Sequence, residues 1–398
     1  MTAQPDQPGP SLKAGLICDS LAIFDPAGIQ ARIAELAQTV ARDSLRGETV
    51  KLLSAANKQG RATIAEAFAK APFSARALTQ SYSYLTDGLV RTAFHVASTY
   101  LHPIANPTSG ERIALIAVGG YGRGEMAPFS DVDLMFLTPY KITAWAESVI
   151  ESMLYILWDL RLKVGHSSRT IKDCIRLGAE DFTIRTAMME QRYLIGDRDR
   201  AYELEDRLRS DLFSRDATEF IEAKLAERDA RHLKQGERYM VEPNVKEGKG
   251  GLRDLQSLYW IAKYVYQVQD VAELVPIGLF SPEELDSFTK AANFLWAVRS
   301  HLHLATGRAT EQLNFDLQVE VASRMGFKDR AGGRGVEFFM QEYFRHATRV
   351  GDLTRLSADQ AGGKPAERRA AARADFPPPP PGKARLRGDP QPAGCGRS

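Results

Sequence analysis

Apolar residues in this chain fall into two short strand-like runs near its middle and into helical stripes on either side. From Ile29 to Leu101 they recur at three and four residues, as at Ile33, Leu36 and Val40, with no strand-like alternation, which predicts helices. Ile113 to Val118 is short and aliphatic, the signature of a buried strand, and it stops at Gly119 and Gly120. After ten intervening residues a second run begins, Asp131-Val132-Asp133-Leu134-Met135-Phe136. Alternation in an extended strand puts Asp131 and Asp133 on one face and turns Val132, Leu134 and Phe136 to the other, into a core. Between Thr143 and Leu160 a helical stripe holds Trp145, Val149, Met153, Ile156 and Leu160; core packing is expected of Trp145 and of Trp158. Leu162 to Ser168 suits a third strand, and the pattern is helical from Asp181 to Gln269 and from Pro282 to Leu356. Glycines at 248–251 and 332–335 mark loops, and no solenoid period is visible, so the later helices should form a bundle.

Composition adds bounds rather than detail. Hydrophobic residues are 44% and charged residues 26% of 398, ordinary for a globular protein of two or three domains. No apolar run approaches the ~20 residues of a membrane helix, and MTAQPDQPGPSLK is not a secretory signal, so no membrane is expected and a cytoplasmic location follows by default. Cys18, Cys174 and Cys395 lack metal-ligand spacing and read as free thiols. The net charge of +2 conceals a basic tail, with eight Lys or Arg against three acids after residue 360. No basic stripe with interleaved aromatics marks a nucleic-acid partner.

The chemistry concentrates between Ile113 and Thr138. Glycines after a strand let backbone N–H groups close on phosphates, a role that suits Gly119 and Gly120; a branched residue at Gly120 should block that approach and resist a positive φ. Two carboxylates aimed at one spot, Asp131 and Asp133, repel each other unless a divalent cation lies between them, and hard oxygen donors suit Mg²⁺. Neither a P-loop nor a complete G-x-G-x-x-G occurs. Ser130 could donate to a phosphate or simply start the strand. Arg123 is equally suited to a bidentate phosphate contact or an ion pair with Glu125. The loop Lys246 to Asp254, with Lys249 among its glycines, has the composition of a triphosphate clamp or of a turn opening a helix.

Gly119-Gly120-Tyr121-Gly122-Arg123-Gly124-Glu125 followed by Ser130-Asp131-Val132-Asp133-Leu134 resembles the polymerase-β-type nucleotidyltransferase domain of the bacterial bifunctional PII uridylyltransferase/uridylyl-removing enzymes. Trp158 to Thr170 and Val241 to Tyr264 resemble further segments of that family, over about Arg42 to Leu356. The resemblance implies an α+β fold: a polymerase-β-like mixed sheet flanked by helices, followed by an all-helical domain that contributes to the nucleotide cleft. It implies transfer of UMP from UTP to a tyrosine hydroxyl of the PII signalling protein, with release of pyrophosphate and with Asp131 and Asp133 holding one or two Mg²⁺. It tips Lys249 and its loop toward the cleft. Such sites usually have a third carboxylate on a later strand; Leu162 to Ser168 has none, and Asp159 is the nearest candidate, while His166 reads more readily as structure than as a base. A catalytically silent remnant that binds nucleotide or PII, and a protein adenylyltransferase, are the rival readings.

The expected organisation is a flexible amino terminus over 1–28, a helical region over 29–110, a catalytic core over 111–200, a helical domain over 201–360 and a disordered tail over 361–398. In the tail 28 of 38 residues are Ala, Arg, Gly or Pro, types encoded by GC-rich codons, which suggests out-of-frame translation or a truncated gene product, with a lineage-specific linker as the alternative. The family's HD phosphohydrolase and glutamine-sensing ACT regions have no counterpart here, and none of the seven histidines precedes an aspartate.

Overall fold

The computed structural model describes residues 15–214, 217–235, 240–268 and 270–361; the tail discussed above lies outside them, but for Ala361. Four helices come first: α1 (Ser20–Ile23), α2 (Pro26–Thr39), α3 (Arg42–Lys70) and α4 (Ala75–His95). The stretch expected to be flexible is therefore partly ordered. Asp19 and Asp25 accept backbone N–H groups at the starts of α1 and α2, and Ile23 and Phe24 between them are buried. Helix α4 is covered almost all round; Ser81, Ser83 and Thr86 satisfy their buried hydroxyls on carbonyls four residues back.

The chain then runs through β1 (Ala114–Ala117), the single turn α5 (Gly119–Gly122), β2 (Val132–Leu137), α6 (Ala144–Asp159), β3 (Val164–Arg169), α7 (Ile171–Glu180), α8 (Phe182–Met189), β4 (Arg192–Gly196) and α9 (Arg198–Arg207). The sheet order is β3-β2-β1-β4. Strand β1 pairs antiparallel with β2 and β4, while β2 pairs parallel with β3 through the crossover helix α6. Helices complete the rest: α10 (Ala217–Gln235), α11 (Leu252–Tyr266), α12 (Pro282–Thr306), α13 (Phe315–Arg324) and α14 (Gly335–Ala361). A mixed sheet flanked by helices and followed by helices is an α+β fold.

Both faces of the sheet are covered. Val132, Leu134 and Phe136 enter the main core with residues of α3, α4 and α6, whereas Met135 and Leu137 face a smaller core from α7 to α9. Two expectations fail locally. The stretch after Asp181 is interrupted by β4, whose five residues include Arg192 and Tyr193 and carry too weak an alternation to announce a strand; pairing with β1 makes it one. Trp158 is 43% exposed rather than buried, because it lies about 200° round the helix from buried Ile156. Trp145 does pack on the core, with its indole N–H donating to the His102 carbonyl at 2.7 Å. Among the described residues no helix is long and apolar enough to cross a membrane.

Candidate active site

The Asp133 side chain lies over two glycines. A β-carbon on Gly165, its register partner on β3, would stand 2.6 Å from one carboxylate oxygen, and one on Gly119 would stand 3.4 Å from the other. Bare backbone on both sides gives this carboxylate its place at the mouth of β2. Asp131, two residues earlier, is exposed. Burial, then the neighbouring Asp131, push the Asp133 carboxyl above the usual aspartate range, while Lys246 pulls the other way. Among the described residues neither aspartate has an ion-pair partner within 4 Å.

The left-handed residue of the glycine turn is Gly119, at φ +60°, rather than Gly120. Gly122 has the strictest requirement: a β-carbon there would come within 1.9 Å of the Glu190 carbonyl oxygen. Arg192 of β4 fixes this turn by donating to the carbonyls of Tyr121 and Gly122 at 3.1 and 3.2 Å, and it is held in turn by Asp87 of α4 through two bonds of 2.6 and 3.0 Å. Arg123 takes the ion-pair alternative. It donates to Glu125 at 2.7 Å and to buried Glu190, which also accepts the Trp260 indole N–H of α11. Burial opposes its charge, yet the two glutamates hold its proton more tightly than usual.

Ser130 acts within its own turn: its hydroxyl oxygen accepts the Ala127 N–H at 2.9 Å. The loop carrying Ser130 and Asp131 is gripped from two helices. Arg61 of α3 donates to the Pro128 carbonyl and lies 4.7 Å from the Phe129 ring, and the Phe129 N–H donates to Nδ1 of His303 on α12 at 3.3 Å. Burial pushes the His303 pKa down while Glu311 pulls it up; accepting the Phe129 N–H leaves Nδ1 without the proton, and Nε2 lies 3.6 Å from Glu311. Glu311 also takes the Arg299 guanidinium through contacts of 2.6 to 3.0 Å.

The cation nearest in effect to Asp133 is Lys246, in the loop before α11. Burial, then Arg299 and Arg253, depress its pKa, while Glu311 and Glu247, the ion-pair partners of those two arginines, oppose the shift. Lys249, the lysine singled out in the sequence, is exposed on the same loop. Asp159 ends α6 in solvent, and the charges acting on Asp133 are those of Asp131 and Lys246. His166 is exposed and sits edge-on to Trp158 at 6.4 Å. Among the described residues no group of three His, Cys, Asp or Glu side chains is placed to hold a metal. The site is thus an aspartate pair with a glycine turn on one flank and Lys246 within electrostatic reach of Asp133. Lys246 stood in a segment already suspected; for Arg192, Asp87 and His303 the sequence carries no local signal, because each acts across more than 70 residues.

Residues 107–194 match the model of the nucleotidyltransferase domain and residues 219–357 that of GlnD PII-uridylyltransferase. The first spans the glycine turn, both aspartates, Gly165 and Arg192; the second spans Lys246, Arg253, Arg299 and His303. Proteins named bifunctional uridylyltransferase/uridylyl-removing enzyme are 70% identical over 335 residues in Ruegeria pomeroyi, 62% over 314 in Cereibacter sphaeroides and 51% over 315 in Azospirillum brasilense. These alignments cover 84%, 79% and 79% of this chain but 37%, 34% and 34% of the relatives, so the chain spans little more than a third of their length. Both halves of the site thus lie inside matched regions: the chain carries a nucleotidyltransferase domain and, over residues 219–357, is similar to PII-uridylyltransferases.

Proposed function

We infer that this chain is a nucleotidyltransferase that moves UMP from UTP to a tyrosine hydroxyl of the PII protein. The phenol oxygen attacks the α-phosphorus as its proton leaves, and the bond from that phosphorus to the bridging oxygen of the β-phosphate breaks to release pyrophosphate. The observation that carries the reading is the aspartate pair: a partly buried carboxylate raised by its own burial and by a second carboxylate, with no ion pair of its own among the described residues.

Mg²⁺ fits this donor set, since both ligands are hard carboxylate oxygens, one on β2 and one immediately before it; Asp131 and Asp133 would hold it. When bound it supplies charge neutralisation at the phosphates. The remaining work falls to the chain. The Gly119–Gly120 turn offers its backbone to the phosphates, and Lys246, whose charge acts on Asp133, adds positive charge that a triphosphate can share. Lys249 extends that charge to the rim. Arg123 and Ser130 serve as supports, one locking the turn to Glu190 and the other closing the loop before Asp131. Incubation of the purified chain with PII, Mg²⁺ and α-labelled UTP or ATP tests the reading: label from UTP should pass to PII, and label from ATP alone would replace it with adenylyl transfer.

A further inference from the structure

The carboxylate of Asp133 leans toward one side of the sheet. Its oxygen fills the space that a side chain on Gly165 would need, so it reaches across β3. Strand β3 is the last on that side, and no described element pairs with its outer edge. Hydrogen bonds fix which backbone groups face out. Val132 N–H donates to the Lys163 carbonyl at 2.8 Å and Thr138 N–H to the Arg169 carbonyl at 2.9 Å, so residues 163, 165, 167 and 169 turn toward β2. Val164, His166 and Ser168 therefore direct their N–H and C=O groups outward. An unpaired edge is a template for another strand, and proteins usually blunt or cover it.

The charge on this edge has one sign. Residues 161–172 contain Arg161, Lys163, Arg169 and Lys172 and no acid, and none of these four forms an ion pair among the described residues. The flanking carboxylates are Asp159, in solvent at the end of α6, and Asp173, which is occupied in capping α7 and with Arg176. Exposed aromatics stand beside the edge, Trp158 at 43% and Tyr155 at 41% exposure, a composition enriched at protein interfaces.

We propose that β3 is the docking edge for the protein acceptor: an extended, acidic segment bearing the acceptor tyrosine adds to it as a further strand. The tyrosine ring then crosses Gly165 to reach Asp131 and Asp133. Strands lie about 4.8 Å apart, so an added strand sits roughly 10 Å from β2, a gap that the phenol and the leaning carboxylate close from opposite sides. Any side chain at 165 would stand in that path. The inference rests on the reading of the chain as a protein-tyrosine nucleotidyltransferase.

The test uses the full chain with PII protein and UTP. Ser168→Pro removes an outward N–H and leaves the β2 ladder intact, a position where an edge strand accepts proline; Lys163→Glu with Lys172→Glu reverses charge along the edge. Each variant should raise KM for PII about tenfold or more, with KM for UTP, kcat at saturating PII and the melting temperature held near wild type. Wild-type chain that labels no PII would sink the functional reading itself. Wild-type labelling with an unchanged KM for PII in both variants would overturn the docking edge alone. A matching rise in KM for UTP would assign the edge to nucleotide, and a wild-type dimer that Ser168→Pro converts to monomer would assign it to a second copy; either overturns the proposal. If Ser168→Pro does not fold, the charge-reversed variant decides.

Discussion

Replacing Gly165 by alanine should separate catalysis from folding. The new β-carbon would lie 2.6 Å from Oδ1 of Asp133, where ordinary contact begins near 3.4 Å, so the carboxylate has to retreat by about 0.8 Å. It can do so, being the free end of a side chain. The backbone at 165 is an ordinary strand with no positive φ, so alanine fits it, and the loss of unfolded-state freedom offsets any small strain by about 0.4–1 kcal/mol. Catalysis is less forgiving: a misplacement near 1 Å costs on the order of 10²-fold, which corresponds to about 2.7 kcal/mol in the barrier. Steady-state transfer of UMP to PII, measured with a thermal melt of the same sample, checks both halves. Turnover within about twofold of wild type would refute the assignment of Asp133 to the reacting centre. Loss of activity accompanied by a large fall in melting temperature would refute the claim that the carboxylate alone moves.

Asp131→Asn and Asp133→Asn should each lower transfer by about two orders of magnitude or more while the fold survives, and each should weaken the rise in melting temperature caused by added Mg²⁺. Lys246→Ala should raise KM for UTP by about tenfold and Lys249→Ala by much less, because Lys246 lies within the electrostatic reach of Asp133 and Lys249 stands in solvent; equal effects would count against that distinction. Arg192→Met should destabilise by about 3 kcal/mol, read by denaturant unfolding, since it removes both short bonds of the buried Asp87 carboxylate, leaving it Arg91 at 3.8 Å, and frees the glycine turn. Burial opposes the charge of Glu311, but His303 and Arg299 outweigh it and hold its carboxyl down to about 2 from 4.5. A depressed carboxyl contributes stability that is present above the unfolded value and lost as pH falls toward 2, so Glu311→Gln should flatten the acid limb of the melting profile.

Local order along the chain settled a large part of this protein. The aliphatic run before Gly119, the alternation that separates Asp131 and Asp133 from Val132, Leu134 and Phe136, and the stripe through Val149, Met153 and Ile156 all follow from the periods of strand and helix. Those periods also set the two carboxylates side by side. Tertiary structure decided what local order cannot express. Strand β4 exists through its pairing with β1, and Trp158 is exposed because burial depends on which neighbour covers a helix face. Arg123 is bound to Glu190, 67 residues away, while Arg192 reaches back to Asp87 and His303 to Phe129 over 105 and 174 residues. Charges compete for partners in space, and no spacing in the chain records which partner wins. The choice of Lys246 over Lys249 beside Asp133, and of a glycine at 165 beneath it, are decisions of the same kind: each depends on the few ångströms that separate elements once they have packed.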